Sequence, residues 1–349
     1  MLRSIQVLRA VAAWLVVGHH VMALYFAPDE VSNPIGKFFA QYGALGVDLF
    51  FVVSGLVIYM SSSARDVSPL QFAYRRAIRV VPAYWLFTAI AAILLLIDPA
   101  FLPATQFTPE LLVKSLLFLP MQNPSGSGPF PLLTVGWTLN CEMFFYCLFA
   151  ISLFLPGKAR LPALLTALWL AQMSAQRSQT ILVFYSNPFL FDFVIGVMVG
   201  LAFEQRWPQR LPHTMAAVLI ACSLWLLKAS HGDHDPLTAG LGCGAVAIVF
   251  LRYNHWFDKL SLLSTLGDWS YSTYLCHILI LGVGLYAHTH WHVRLRVILP
   301  LALVLIAVAS KISHSLIEVK TKEWLLQVRR RRSGKFAPLR GTEANTPLE

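Results

Sequence analysis

Long apolar runs recur along nearly the whole chain, and they restrict it to one kind of solvent. A helix needs about 20 consecutive apolar residues to cross the roughly 30 Å hydrocarbon layer of a bilayer. Stretches such as 5–26, with LRAVAAWLVVGHH (8–20) as its core, and VVPAYWLFTAIAAILLLI (80–97) supply them repeatedly. With 57% of its residues hydrophobic and 13% charged, the chain lies outside the balance of soluble domains. Hydropathy predicts an all-α, polytopic membrane bundle of about ten transmembrane helices. The spans fall near 5–26, 44–62, 80–97, 132–155, 161–175, 180–203, 211–228, 236–251, 264–287 and 295–318. The apolar run at 111–121 is too short to cross and reads as interfacial or re-entrant.

The net charge of +10 is explained by topology. Lys and Arg gather in alternate connecting segments, as the positive-inside rule requires of cytoplasmic loops. An even number of spans with both termini cytoplasmic fits that bias. The basic residues form no single face interleaved with exposed aromatics, so a nucleic-acid partner is excluded. Residues 1–320 read as one membrane domain and 321–349 as a basic cytoplasmic tail, partly disordered, that meets membrane lipids. The five cysteines show no CxxC pairing, so neither a disulfide framework nor a metal site is expected. The amino terminus lacks a small-residue cleavage site and counts as the first span.

Ionisable side chains inside spans cost about 2.5 to 3.5 kcal/mol each on insertion scales, which makes each a functional hypothesis. Arg9 and His20 are eleven residues apart. At 100° per residue that returns to within about 20° of one helix face, some 16 Å along the axis. A snorkelling arginine and an interfacial histidine would be the bland alternative. Asp48 lies at the depth of His20 and could orient its imidazole, or could simply favour a helix amino terminus. Glu142 sits well inside its span, near Asn140 and Trp137, and Asp192 is a weaker case. His277 lies mid-span beside Tyr274. Lys311, His314 and Glu318 share a face that an ion-paired helix end would also explain. Arg75, Arg76 and Arg79 precede a span on the cytoplasmic side, suited either to phosphate binding or to anchoring alone.

In chain order, LRAVAAWLVVGHH, GVDLFFVVSGLVI, YRRAIRVVPAYW, WTLNCEMFFY and LGDWSYSTYLCH resemble the sequence blocks of the acyltransferase-3 family of integral membrane O-acyltransferases. The likeness extends over about residues 5–320. It is similar to the stand-alone, exopolysaccharide-modifying members, placed in the inner membrane of the cell. The resemblance implies transfer of an acyl group, commonly acetyl, from acyl-CoA to a carbohydrate hydroxyl, with no metal. It makes Arg9 and His20 the essential pair and associates Arg75, Arg76 and Arg79 with the donor. Two departures stand out: Tyr74 replaces a more typical Phe, and Val319–Lys320 follow Glu318 where a basic residue and proline are usual.

On this reading His20 is a general base or a transient acyl acceptor, Asp48 orients it, and Glu142 binds the acceptor or relays a proton. Trp137, Asn140, Tyr274 and His277 are assigned to substrate binding. A proton-coupled transporter or flippase of sugars would use the same intramembrane residue types. Such folds often carry paired inverted repeats, and the two halves of this chain show no convincing correspondence. A non-catalytic scaffold gives no reason for burying Arg9, His20, Asp48 and Glu142.

Overall fold

The computed structural model describes residues 2–27, 31–63, 67–177 and 181–332. Those residues form helices and turns, with no strand among them. In chain order the α-helices are α1 (Arg3–Tyr25), α2 (Pro34–Tyr42), α3 (Gly46–Ser63), α4 (Pro69–Ile97), α5 (Pro109–Leu116), α6 (Trp137–Ser152) and α7 (Gly157–Gln176). They continue as α8 (Phe191–Glu204), α9 (Trp207–Arg210), α10 (His213–Ala229), α11 (Leu241–Arg252), α12 (Ser261–Trp291), α13 (Leu295–Ser313) and α14 (Lys322–Arg332). Several starts are marked locally. Asn33, Ser68 and Thr108 each accept a hydrogen bond from a first-turn amide, and each is followed by a proline, the first helical residue that needs no amide partner.

Six helical stretches of the described residues are long and apolar enough to cross a membrane. They contain α1, α2 with α3, α4, α6, α12, and α13 running on to Gln327. The ten spans read from hydropathy are therefore not all single crossing helices. The apolar segments between 157 and 252 are divided differently. α8 has 14 residues and α11 has 12, about 21 and 18 Å at 1.5 Å per residue, short of the roughly 30 Å core. Pro188 and a pair of 3₁₀ turns break the run ahead of α8, and a π-helical turn precedes α11. Of the run at 111–121 only 111–116 is helical, as part of the eight-residue α5, in keeping with its length. The boundary expected at 320 falls inside a continuous helical path, because a π-helical stretch, His314–Thr321, links α13 directly to α14. The end of the tail, 333–349, lies outside the described residues.

α1 is the central rod, packed lengthwise on α12 and flanked by α3, and α3 in turn lies along α8. Both contacts depend on missing side chains. A Cβ on Gly267 of α12 would fall 1.9 Å from the Gln6 carbonyl oxygen, and one on Gly196 of α8 would fall 2.0 Å from that of Val52. Such close backbone approach is how membrane helices gain dispersion contacts when lipid is as apolar as they are. Around the second contact the ring of Phe193 stacks on Phe51 at 4.4 Å and on Phe145 at 4.5 Å. Overpacking of this kind costs about 1–3 kcal/mol. Gly196→Val should therefore lower the thermal midpoint of the purified protein by several degrees, whereas Gly157→Val, in open space, should leave it unchanged.

Candidate active site

The crossing of α1, α3, α4, α6 and α12 leaves a small cavity of about 70 Å³. Arg9, Arg79, Ser54, Glu142, Tyr271 and Tyr274 supply its polar lining. Arg9 is 8% exposed, and its Nη1 donates to Gln6 Oε1 at 3.2 Å. Gln6 Nε2 donates in turn to Asp268 on α12. Glu318, Asp268 and Glu142 set negative charge against that of Arg9 and the neighbouring Arg79. Opposing charges and full hydrogen bonding are what make such burial tolerable. Glu142 is fixed as well, accepting from Ser54 Oγ at 2.8 Å and from the Tyr146 hydroxyl.

Three turns along α1, His20 is part of an imidazole pair. Its Nδ1 lies 3.0 Å from the Val16 carbonyl oxygen and 3.3 Å from His277 Nε2. A carbonyl can only accept, so Nδ1 carries the proton and the lone pair of His20 is on Nε2. His277 is arranged in the same way, with Nδ1 3.2 Å from the Thr273 carbonyl oxygen. Its Nε2 then faces the Nδ1–H of His20 as an acceptor. The rings of His20 and His277 are 4.9 Å apart, and Tyr274 stands 5.8 Å from His277. Tyr274 also lines the cavity of Arg9, whereas neither histidine is among its lining residues. The hydroxyl of Tyr274 is itself tied to the Val135 carbonyl at 3.0 Å and to Thr138 Oγ1 at 2.9 Å.

Asp48 has a different partner from the one expected. Its Oδ2 meets His234 Nδ1 at 2.7 Å, and the fully buried Asp192 of α8 lies beside it. The first turn of α3 directs this carboxylate toward α8 and the loop before α11, while His20 faces α12. The tautomer of His20 is accordingly set by Val16 and His277, not by Asp48. Trp137 joins the His234 group, with ring centroids 6.4 Å apart, and also packs edge-on against Phe189 at 5.3 Å. Asn140 is fully buried, and neither atom of its amide meets a hydrogen-bond partner among the described residues.

A second cavity, about 470 Å³, opens beside Arg75, Arg76 and Arg79. The three arginines are not equivalent. Arg76 is 8% exposed, donates to Ser61 Oγ, and lies over the rings of Phe72 and Tyr146 at 5.3 and 5.7 Å. Arg79 lines both cavities, as does Val57. Glu318, whose place the sequence left open, accepts from Ser272 Oγ at 2.6 Å and lies 3.6 Å from His314.

His234, Ser54, Tyr271 and the Gln6–Asp268 link are absent from the residues singled out by sequence. One signal was available. Asp268, Tyr271, Tyr274 and His277 follow one another at steps of three along α12, a slow spiral that runs from the inner charges to the histidines.

A family described as an acyltransferase domain matches residues 2–312. The chain belongs to the acyltransferase-3 family. It is an acyltransferase, and the apolar helices make it a multi-pass membrane protein. It is similar to the exopolysaccharide production protein ExoZ of Rhizobium meliloti, with 37% identity over 251 residues, 69% of this chain and 77% of that protein. It is also similar to the acyltransferase MdmB of Streptomyces mycarofaciens, with 24% identity over 323 residues, 81% of this chain and 80% of that protein. No solved structure matches it. Within the acyltransferase-3 match fall both cavities' arginines, the histidine pair and Glu142, whereas Glu318 and α14 lie beyond its end.

The Asp48–His234 contact has a pH signature. Burial opposes the charged imidazole, but the hydrogen bond and the charge of Asp48 outweigh it and raise the pKa of His234 above 6.5. Its contribution to stability is fully present below pH 6.5 and is lost as pH climbs through the raised value. The thermal midpoint of the wild type should fall over that window relative to His234→Gln, which should remove this part of the pH dependence.

Proposed function

We propose that this acyltransferase moves an acyl group, acetyl foremost, from cytoplasmic acyl-CoA to a hydroxyl of an exported carbohydrate, working in the inner membrane with both termini in the cytoplasm. The observation that carries this reading is that Val57 and Arg79 line both the basic cavity and the inner cavity. The phosphates of the donor occupy the first, held by arginine forks. Its pantetheine arm runs through the second, where Arg9 and Glu142 offer a donor and an acceptor to its amides. The thioester then arrives beneath the histidine pair. The name of the similar ExoZ points toward an exopolysaccharide acceptor.

In the transfer step, His20 Nε2 takes the proton of the acceptor hydroxyl as that oxygen forms a bond to the thioester carbonyl carbon. The carbon–sulfur bond breaks when the tetrahedral intermediate collapses. The proton then passes from His20 to the departing sulfur, so that the products are an ester and free coenzyme A. His277, accepting from Nδ1–H of His20, keeps the correct tautomer and steadies the charge that forms on the imidazole, the task that an orienting carboxylate performs elsewhere. Asp48 acts one step away, holding His234 and the loop it belongs to at the acceptor's side, with Trp137 offering an aromatic face to a sugar. Asn140 contributes to acceptor binding through its amide.

His20→Ala should reduce kcat for acetyl transfer to a glycan acceptor by about 10²–10⁴, the usual worth of a general base, with an unchanged thermal midpoint. Wild-type turnover in that variant removes His20 from the mechanism. Arg79→Lys keeps the charge but loses the fork, and should raise the KM for acetyl-CoA by about tenfold. An unchanged KM returns the arginine to topology alone.

A further inference from the structure

We propose that the C-terminal helix α14 forms the third wall of the donor site and that Lys322 binds a phosphate of the donor there. This rests on the acyl-CoA reading above and assigns a residue that lies outside the matched family region, 2–312.

The basic cavity is not made by α4 alone. Val57 and Ser61 of α3 form one side of it, Arg75, Arg76 and Arg79 another, and Lys322 and Leu326 of α14 face them. Among the described residues, every charged side chain lining it is a cation. Like charges facing each other across a cleft repel, and the arrangement costs stability until an anion lies between them. A volume of about 470 Å³ exceeds a single ion's need and lies within the range of small-molecule sites. Polyphosphate attached to a large organic group fits both the charge and the space.

α14 is also held in place. The hydroxyl of Tyr74, one residue before Arg75, donates to the Leu325 carbonyl at 3.3 Å, which fixes the helix to α4 beside the basic residues. The π-helical stretch His314–Thr321 leads into it, pinned to α12 by the 2.6 Å bond between Ser272 and Glu318. A wider turn of this kind shifts the helix face relative to α13, and the face that results brings Lys322 and Leu326 to the cavity. Arg76 is already committed to Ser61, Phe72 and Tyr146. Lys322 therefore restores a cation to a site in which one of three arginines serves the fold. A lysine suits a phosphate as a compact point charge, where the arginines bind as forks.

The test is the KM for acetyl-CoA of the full chain, purified in detergent and again in nanodiscs with and without anionic lipid. Lys322→Ala should raise it by about tenfold, the loss of one charge-assisted contact, with little change in kcat. Lys322→Arg should restore most of the loss, and Trp324→Ala, on the same helix and 60% exposed, should behave as wild type. A wild-type KM for Lys322→Ala overturns the proposal. So does a change confined to bilayers with anionic lipid, which would give the lysine to a lipid headgroup. If Arg79→Lys raises KM while Lys322→Ala does not, only the role of α14 fails. If the wild type transfers nothing from acetyl-CoA, the donor reading itself fails.

Discussion

The guanidinium of Arg9 is held inside a helix bundle, in a medium where an isolated charge is costly, by Gln6 on its own helix and Asp268 on α12. That link requires α1 and α12 to touch backbone to backbone, which Gly267 permits by presenting no side chain to the Gln6 carbonyl. The same two rods then meet again further along, where His20 and His277 stand 4.9 Å apart. One helix contact thus sets both the charged floor of the cavity and the imidazole pair above it. Because helices are stiff over this length, a shift at the inner end would be felt at the outer one.

Seen from α4, the arginines divide into roles that charge counting merges. Arg76 is enclosed between two aromatic rings and bonded to Ser61, so it braces the start of the span against α3 and α6. Arg79, one turn on, belongs to both cavities and is, among the described residues, the only charged one lining the two. A cytoplasmic arginine cluster satisfies the positive-inside rule whether or not it binds anything. The difference between anchor and ligand-facing residue is decided by which neighbours each side chain meets.

The carboxylate of Asp48 illustrates how proximity in depth, read from the sequence, can mislead. It lies near the level of His20, yet its hydrogen bond goes to His234, nearly two hundred residues away in sequence and in a loop that hydropathy treats as a connection. The ring of His20 is positioned instead by a backbone carbonyl one turn earlier and by a second histidine. Intramembrane Asp, Glu and His serve proton transport as readily as acyl transfer, and membership of the acyltransferase-3 family is what separates the two for this chain.

The helical class, the membrane solvent and the shared face of Arg9 and His20 were determined by the sequence alone, because length, hydropathy and helical period are properties of a single segment. The identity of the family was legible for a related reason, since its blocks are local and ordered. The number of crossing helices was less so: α8 and α11 depend on breaks at Pro188 and at a π-helical turn whose effect on helix length is a matter of packing. Only the tertiary structure decided the partner of Asp48, the commitment of Arg76, the opposition of His277 to His20 and the return of Lys322 to the arginines. Each of these pairs residues far apart in the chain through the rotation and crossing of whole helices, and no local pattern encodes which faces will meet.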